Sequence, residues 1–184
     1  MGSKLRVLVA RLKRLPEEER ALVFSQEPRV LDALSASLTR AGIPAALLRG
    51  KRREQRGALE RFQGYDADEP GCQGRAGSSS PRTRGSVRPK TLLLDFRHDA
   101  SGLTLTAASH VFLLEPFTPE DERQALCRAL RLGQSRPVHC YRVTMAGTLE
   151  ERLLVERERL ARGTPPARLA SAHACELGLG KDAA

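Results

Sequence analysis

Apolar residues along this chain fall into short unbroken runs, and the stretches between the runs repeat with helical spacing. Ala21-Leu-Val-Phe-Ser-Gln26, Thr91-Leu-Leu-Leu-Asp95 and His110-Val-Phe-Leu-Leu114 are nearly continuous apolar runs, as expected of parallel strands buried on both faces. Ala45 to Leu48 is a weaker strand, and Val138 to Val143 is another. Leu5 to Leu15 has helical spacing with basic residues between its apolar ones. Pro28 opens a helix that carries Leu31, Leu34, Leu38 and Ala41 on one side and closes at Gly42. Arg52 to Gln63 is a helix with Ala58, Leu59 and Phe62 inward, and Thr148-Leu-Glu-Glu151 is a capping box opening a last helix to about Ala161. Strands alternating with helices predict an α/β domain, doubly wound, with right-handed crossovers. Ligands of such sheets are expected at the carboxyl ends of the strands.

The segment Gln124-Ala-Leu-Cys-Arg128-Ala-Leu-Arg131-Leu-Gly-Gln134 follows a clear helix start. Thr118 is a hydroxyl cap, Pro119 takes the first helical position, and Glu120 and Asp121 place acids in the first turn. Gly133 is the stop. Wound at about 100° per residue, Gln124, Arg128 and Arg131 stand on one face, while Leu126, Ala129 and Leu130 take the other and can enter a core. One amide and two guanidiniums in a row suit a triphosphate, because planar forks bind phosphate oxygens bidentately and keep their charge. A basic amphipathic helix with a solvated face has the same periodicity.

Composition narrows the classes. A chain of 184 residues is long enough for one domain with a real core, and its hydrophobic fraction of 40% is globular. There is no apolar run near 18 residues, so no membrane span is expected, and Met1-Gly-Ser-Lys-Leu-Arg6 lacks a signal peptide's apolar stretch. The net charge of +9 points to polyanions. Most of the basic residues are arginine, which a GC-rich coding sequence would also produce. Cys72, Cys127, Cys140 and Cys175 and the four scattered histidines form no metal-ligand spacing, so no metal site is expected, and scattered thiols suit a reducing compartment. Gly64 to Lys90 is rich in Gly, Ser, Pro and Arg and reads as a disordered insert; the tail at 163–184 reads as loose. The domain is expected over 1–162.

The order of these pieces resembles the second RecA-like lobe of superfamily-two helicases, specifically the Swi/Snf-type DNA-dependent ATPases. The resemblance spans about Gly2 to Leu160. It rests on Ala21 to Gln26, on Gly50 with Arg56 to Phe62, on Ser101-Gly-Leu-Thr-Leu-Thr-Ala-Ala-Ser-His110 and on the arginine segment. The extension Gly133 to Arg142 and Gly147 to Glu151 matches the family's final motif with its strand and helix. Within the family, Gly102 to Leu105, Ala108 to Pro116 and Thr148 to Arg152 resemble the SHPRH-type helicase-RING ubiquitin ligases. In that group a RING finger precedes this lobe. No RING cysteine pattern occurs here, so ligase activity is implied by kinship alone.

The resemblance implies a RecA-like parallel sheet with helices on both faces. It implies that Arg128 and Arg131 reach the γ-phosphate of ATP held with Mg by a first lobe, with Gln124 and Gly102 also on the nucleotide side. That is the arginine-finger role, positive charge placed where negative charge spreads during phosphoryl transfer. It implies that Ser101, Thr104 and Thr106 couple the cleft to the DNA backbone, and that Ser25, Gln26, Arg49, Arg52 and Arg53 lie along double-stranded DNA or chromatin. From the residues alone, the run Arg49 to Arg56 is equally a solvated face; as a contact it would be salt-sensitive and blind to sequence. With no tryptophan and few aromatics, base stacking is not its mode. An N-terminal RecA-like lobe, in cis or in trans, is the implied partner, and a nucleus the implied location in a eukaryote, the cytoplasm otherwise. Asp99-Ala100 stand where the family usually has glycines, Thr104 where it has asparagine, Cys127 where small or polar residues are usual, and Glu115 in place of aspartate. These departures weaken the expected DNA coupling and leave the arginine row intact.

No phosphate loop is present: Gly178-Leu-Gly-Lys181 has the wrong spacing and no strand before it. Asp66-Ala-Asp-Glu69 resembles a magnesium-binding motif but sits in the polar insert, where a solvated charge run is expected. The chain alone is therefore not expected to turn over ATP. A degenerate lobe that binds nucleic acid or protein without turnover, and a basic RNA-binding protein of similar architecture, remain the rival readings.

Overall fold

The structure is a computed structural model and describes residues 2–64, 88–97 and 103–163. Residues 65–87 of the expected loose insert Gly64 to Lys90, the tail from 164, and residues 98–102, which include Asp99, Ala100, Ser101 and Gly102, lie outside the described residues. The elements run α1 (Ser3–Arg14), β1 (Ala21–Ser25), α2 (Pro28–Arg40), β2 (Ala45–Leu48), α3 (Arg52–Gln63), β3 (Thr91–Asp95), β4 (His110–Leu113), α4 (Pro119–Ala129), β5 (His139–Arg142) and α5 (Leu149–Gly163). The five strands form one sheet in the order β2-β3-β1-β4-β5, every pair parallel. This is the α/β sheet that the alternating runs predict.

The apolar runs are continuous because both sheet faces are covered. Leu22, Phe24, Leu92, Leu94, Val111 and Leu113 join Ala58 and Phe62 of α3 and Ala125 and Ala129 of α4 in one core. Ala21, Val23, Leu93 and Phe112 face the other way, onto Leu8 and Leu12 of α1 and Leu31, Leu34 and Leu38 of α2. The period of two along each strand hands alternate residues to each layer.

Register defines two functional edges. Ala21 lies level with Thr91 and with His110, Ala45 with Thr91, and His110 with His139, so the strands all begin along one line. That line is the amino edge; Ser25, Leu48, Asp95, Leu113 and Arg142 mark the carboxyl edge. Helices α3 and α4 each follow a strand and run back from the carboxyl edge to the amino edge.

One expectation about α4 fails. The helix stops at Ala129, with Leu130 as its cap at φ −84° and ψ 73°. Arg131 is therefore not on the helix, and the i, i+7 relation to Gln124 does not hold. The carbonyls that would extend the ladder are taken elsewhere: Arg128 O accepts the Leu105 N–H at 2.7 Å, and Ala129 O accepts the Gln134 amide at 3.3 Å. Leu130, expected in the core, is exposed; Ala125 and Ala129 fill the apolar contact and Leu126 is half-buried.

Candidate functional site

At the amino edge, the Leu103–Ala108 segment and the turn after α4 are held together by side chains from distant parts of the chain. Gln134 extends its amide nitrogen to Thr106 O at 3.0 Å, Ala108 O at 2.8 Å and Ala129 O at 3.3 Å, while its Oε1 accepts the Arg136 N–H at 3.0 Å. Gly133, at φ 99°, gives the chain the left-handed step that brings Gln134 back under the helix end. Arg136 donates to Ala107 O at 2.7 Å and Glu18 O at 3.0 Å. From α3, Gln63 donates to Thr104 O and accepts the Ala107 N–H at 3.2 Å.

The two arginines lie within this cluster and differ in state. Arg131 is exposed; its Nε donates to Cys127 O at 3.2 Å and its guanidinium reaches the Thr104 hydroxyl at 3.0 Å. Arg128 is only 8% exposed, and its buried Nε has no hydrogen-bond partner among the described residues. Burial, and then the charge of Arg131, push the Arg128 guanidinium below its ordinary value. Buried charges are normally paired. Among the described residues no carboxylate pairs with either guanidinium, so the spot presents two positive forks to an anion. Gln124 sits one helical turn before Arg128 on an exposed part of α4.

At the carboxyl edge the chemistry is different. Ser25 is fully buried; its hydroxyl donates to Glu115 Oε1 at 2.7 Å and accepts the Glu27 N–H at 3.1 Å. Glu115 Oε2 accepts the Gln26 N–H at 3.1 Å. Burial nonetheless raises the Glu115 carboxyl above the ordinary value, the bonds from Ser25 and Gln26 offsetting part of that rise. Arg49 pairs with Asp32 at 2.8 Å on the surface, and Lys51, Arg52 and Arg53 form the exposed, basic start of α3. Toward the other end of the sheet, Glu122 is buried between Arg142 and Arg157, which lock α4 to β5 and α5.

The chain is similar in sequence and in fold to known proteins. No family model matches the chain. It is 35% identical over 170 residues to DNA repair protein rad5 of Aspergillus fumigatus, covering 86% of this chain and 14% of that protein. It is 30% identical over 157 residues to Protein CHROMATIN REMODELING 24 of Arabidopsis thaliana, covering 83% of this chain and 12% of that protein. Its fold matches the crystal structure of the C-terminal part of the Fun30 ATPase domain at a TM-score of 0.65 and 21% identity, over 84% of this chain and 45% of that one. The chain is a C-terminal RecA-like lobe of the Swi/Snf helicase type. It spans a small part of the length of these curated relatives.

In this helicase lobe the expected residues separate by edge. Arg128, Arg131, Thr104 and Thr106 come together at the amino edge, not at the carboxyl ends where the doubly wound fold led us to expect a ligand. The reason is topological: α4 runs back along the sheet, so its final turn reaches the starts of β1, β4 and β5. Gln26, Arg49, Arg52 and Arg53 share the carboxyl edge. Thr104 and Thr106 do not join them, because the Leu103–Ala108 segment has already crossed to the amino edge. Ser25 is a correction: it is buried and engaged with Glu115, so it supports the β1 end and is not a surface contact. Thr104, where the family usually has asparagine, presents its hydroxyl to Arg131. Reading the sequence missed Gln63, Gln134 and Arg136 as the clamp, and Glu122 as the hub of two arginines. Gln134 closes the arginine motif and was the one signal available; the others meet their partners only through the fold.

Proposed function

We propose that this lobe supplies Arg128 and Arg131 to the phosphates of ATP carried by a first RecA-like lobe, in cis or in trans, and that it acts as the second half of a DNA-dependent motor. The observation that carries this reading is that Arg128, 8% exposed and with its Nε unpartnered, has no carboxylate partner among the described residues and feels the charge of Arg131. A triphosphate fits the chemistry of the donors, because planar guanidiniums donate bidentately to phosphate oxygens, whose negative charge balances theirs. In the bound state ATP supplies the phosphoryl group and its leaving group. This chain's share is to hold two positive forks where charge spreads. Among the described residues no group of three or more His, Cys, Asp or Glu side chains is placed to hold a metal ion, and magnesium is assigned to the first lobe in this reading. Gln124 and Gly102 are assigned to the nucleotide side. Gln26, Arg49, Arg52 and Arg53 are assigned to the phosphate backbone of duplex DNA, with Ser25 holding Gln26's strand end in place. The relatives' names add a DNA-repair or chromatin setting, with which a nuclear location is consistent; membership of a helicase-type ubiquitin ligase rests on the helicase-RING resemblance. No described helix is long and apolar enough to cross a membrane.

The test joins a first lobe to this chain and measures DNA-stimulated ATP hydrolysis. Arg128→Ala and Arg131→Ala should each lower turnover by about 100-fold or more. Turnover unchanged in both would move the nucleotide contact elsewhere and favour a binding module without hydrolysis.

A further inference from the structure

The basic start of α3 and the arginine pair lie at opposite edges of the sheet, yet one helix joins them. Helix α3 has 12 residues and so spans about 18 Å. Its first turn carries the exposed Arg52 and Arg53 at the carboxyl edge. Its body is fixed to the sheet through Ala58 and through Phe62, which is fully buried. Its last residue, Gln63, holds the Leu103–Ala108 segment at two points, donating to Thr104 O and accepting from Ala107 N–H. Thr104 then accepts Arg131 through its hydroxyl at 3.0 Å. A chain of direct bonds therefore runs from the end of α3 to the exposed guanidinium. A helix anchored by a buried ring next to its terminal amide moves as one body, and packed elements shift in discrete steps.

We infer that Gln63 is a positioning residue that sets Arg131 through Thr104 and transmits the engagement of α3 with a polyanionic backbone to the nucleotide side. This rests on the reading that Arg131 serves the nucleotide. Gln63 touches neither nucleotide nor DNA; it acts through the backbone of Thr104 and Ala107. The geometry asks for an amide at this position, because the same side chain must donate at one end and accept at the other. A carboxylate supplies the acceptor only, and an aliphatic side chain supplies neither.

Two measurements test it. In the chain itself, hydrogen exchange of the Ala107 amide should quicken in Gln63→Leu and stay near its original rate in Gln63→Glu, which keeps the acceptor. In the chain joined to a first lobe, Gln63→Leu and Gln63→Glu should each lower DNA-stimulated kcat by about tenfold or more, with KM for ATP within about twofold. On an Arg131→Ala background the Gln63 changes should have no further effect, since both act through one contact. A loss from Gln63→Leu that persists in full on that background overturns the inference, as does an unchanged kcat while Arg131→Ala is impaired. If Arg131→Ala itself leaves turnover intact, the nucleotide reading falls first and this inference falls with it.

Discussion

At Arg128, burial and charge oppose each other, and no carboxylate among the described residues resolves the conflict. The sequence made its type and spacing visible, since an arginine three residues before another on a capped segment stands out. Its burial was not visible: the helical wheel put it on the open face, because a wheel cannot show that Leu103–Ala108 packs against that face. Ser25 went the other way. It reads as a polar strand end available to a ligand, but Glu115, 90 residues later, claims its hydroxyl. Glu115 itself yields a residue-scale prediction. Its folded carboxyl titrates above the ordinary value, chiefly through burial. The folded state therefore holds that proton more tightly than the unfolded chain does. The cost of charging it is absent below the ordinary glutamate value and complete above the raised one. Unfolding free energy of Glu115→Gln minus that of the unaltered chain should thus rise as pH increases from the ordinary glutamate value upward. Denaturant titrations across that window read the difference; a flat difference would mean that Glu115 is not perturbed.

At the scale of elements, local patterns served well wherever caps and periodicity agreed. β2, α3 and β3 begin and end where the apolar runs and the Arg52–Gln63 spacing put them. The Thr118 cap also holds, its hydroxyl accepting the Asp121 N–H at 3.2 Å. The final helix starts as expected, although its cap is rearranged: Glu151 reaches the Gly147 N–H at 2.7 Å and Thr148 donates back to Met145 O at 2.7 Å. What local pattern could not show was competition from far along the chain, and that is why α4 ends early. The other hidden feature is the way α4 is oriented. Glu122 accepts Arg142 Nε at 2.5 Å and Arg157 at 2.8 Å, so one buried carboxylate fixes three elements. Both arginines keep about a quarter of their side chains in water, which tempers the loss when their partner is removed. Glu122→Gln should destabilise the chain by about 2 kcal/mol with an unchanged urea m-value. A change near zero would mean that the hub does not hold α4.

Across the whole molecule, the sequence pointed to a parallel sheet but not to its strand order, since every central strand presents the same apolar run. The order matters because it decides which residues share an edge. With β1 central between β3 and β4, the basic start of α3 and the end of β1 face one way, and the turn after α4 faces the other. The general rule for doubly wound sheets pointed to the carboxyl edge, and the arginines lie at the opposite one. The central claim is that Arg128, buried and without an ion-pair partner among the described residues, is kept for a phosphate carried by the first lobe. Such a residue should burden the isolated fold while serving the assembled motor. The most direct measurement replaces it by a side chain of similar length without charge. Arg128→Met should raise the melting temperature of this chain by a few degrees, because a largely buried cation with no ion-pair partner among the described residues is exchanged for apolar packing. The same change should lower DNA-stimulated turnover of the joined lobes by about 100-fold or more. A lower melting temperature with turnover preserved would show Arg128 to be a structural residue and contradict the account.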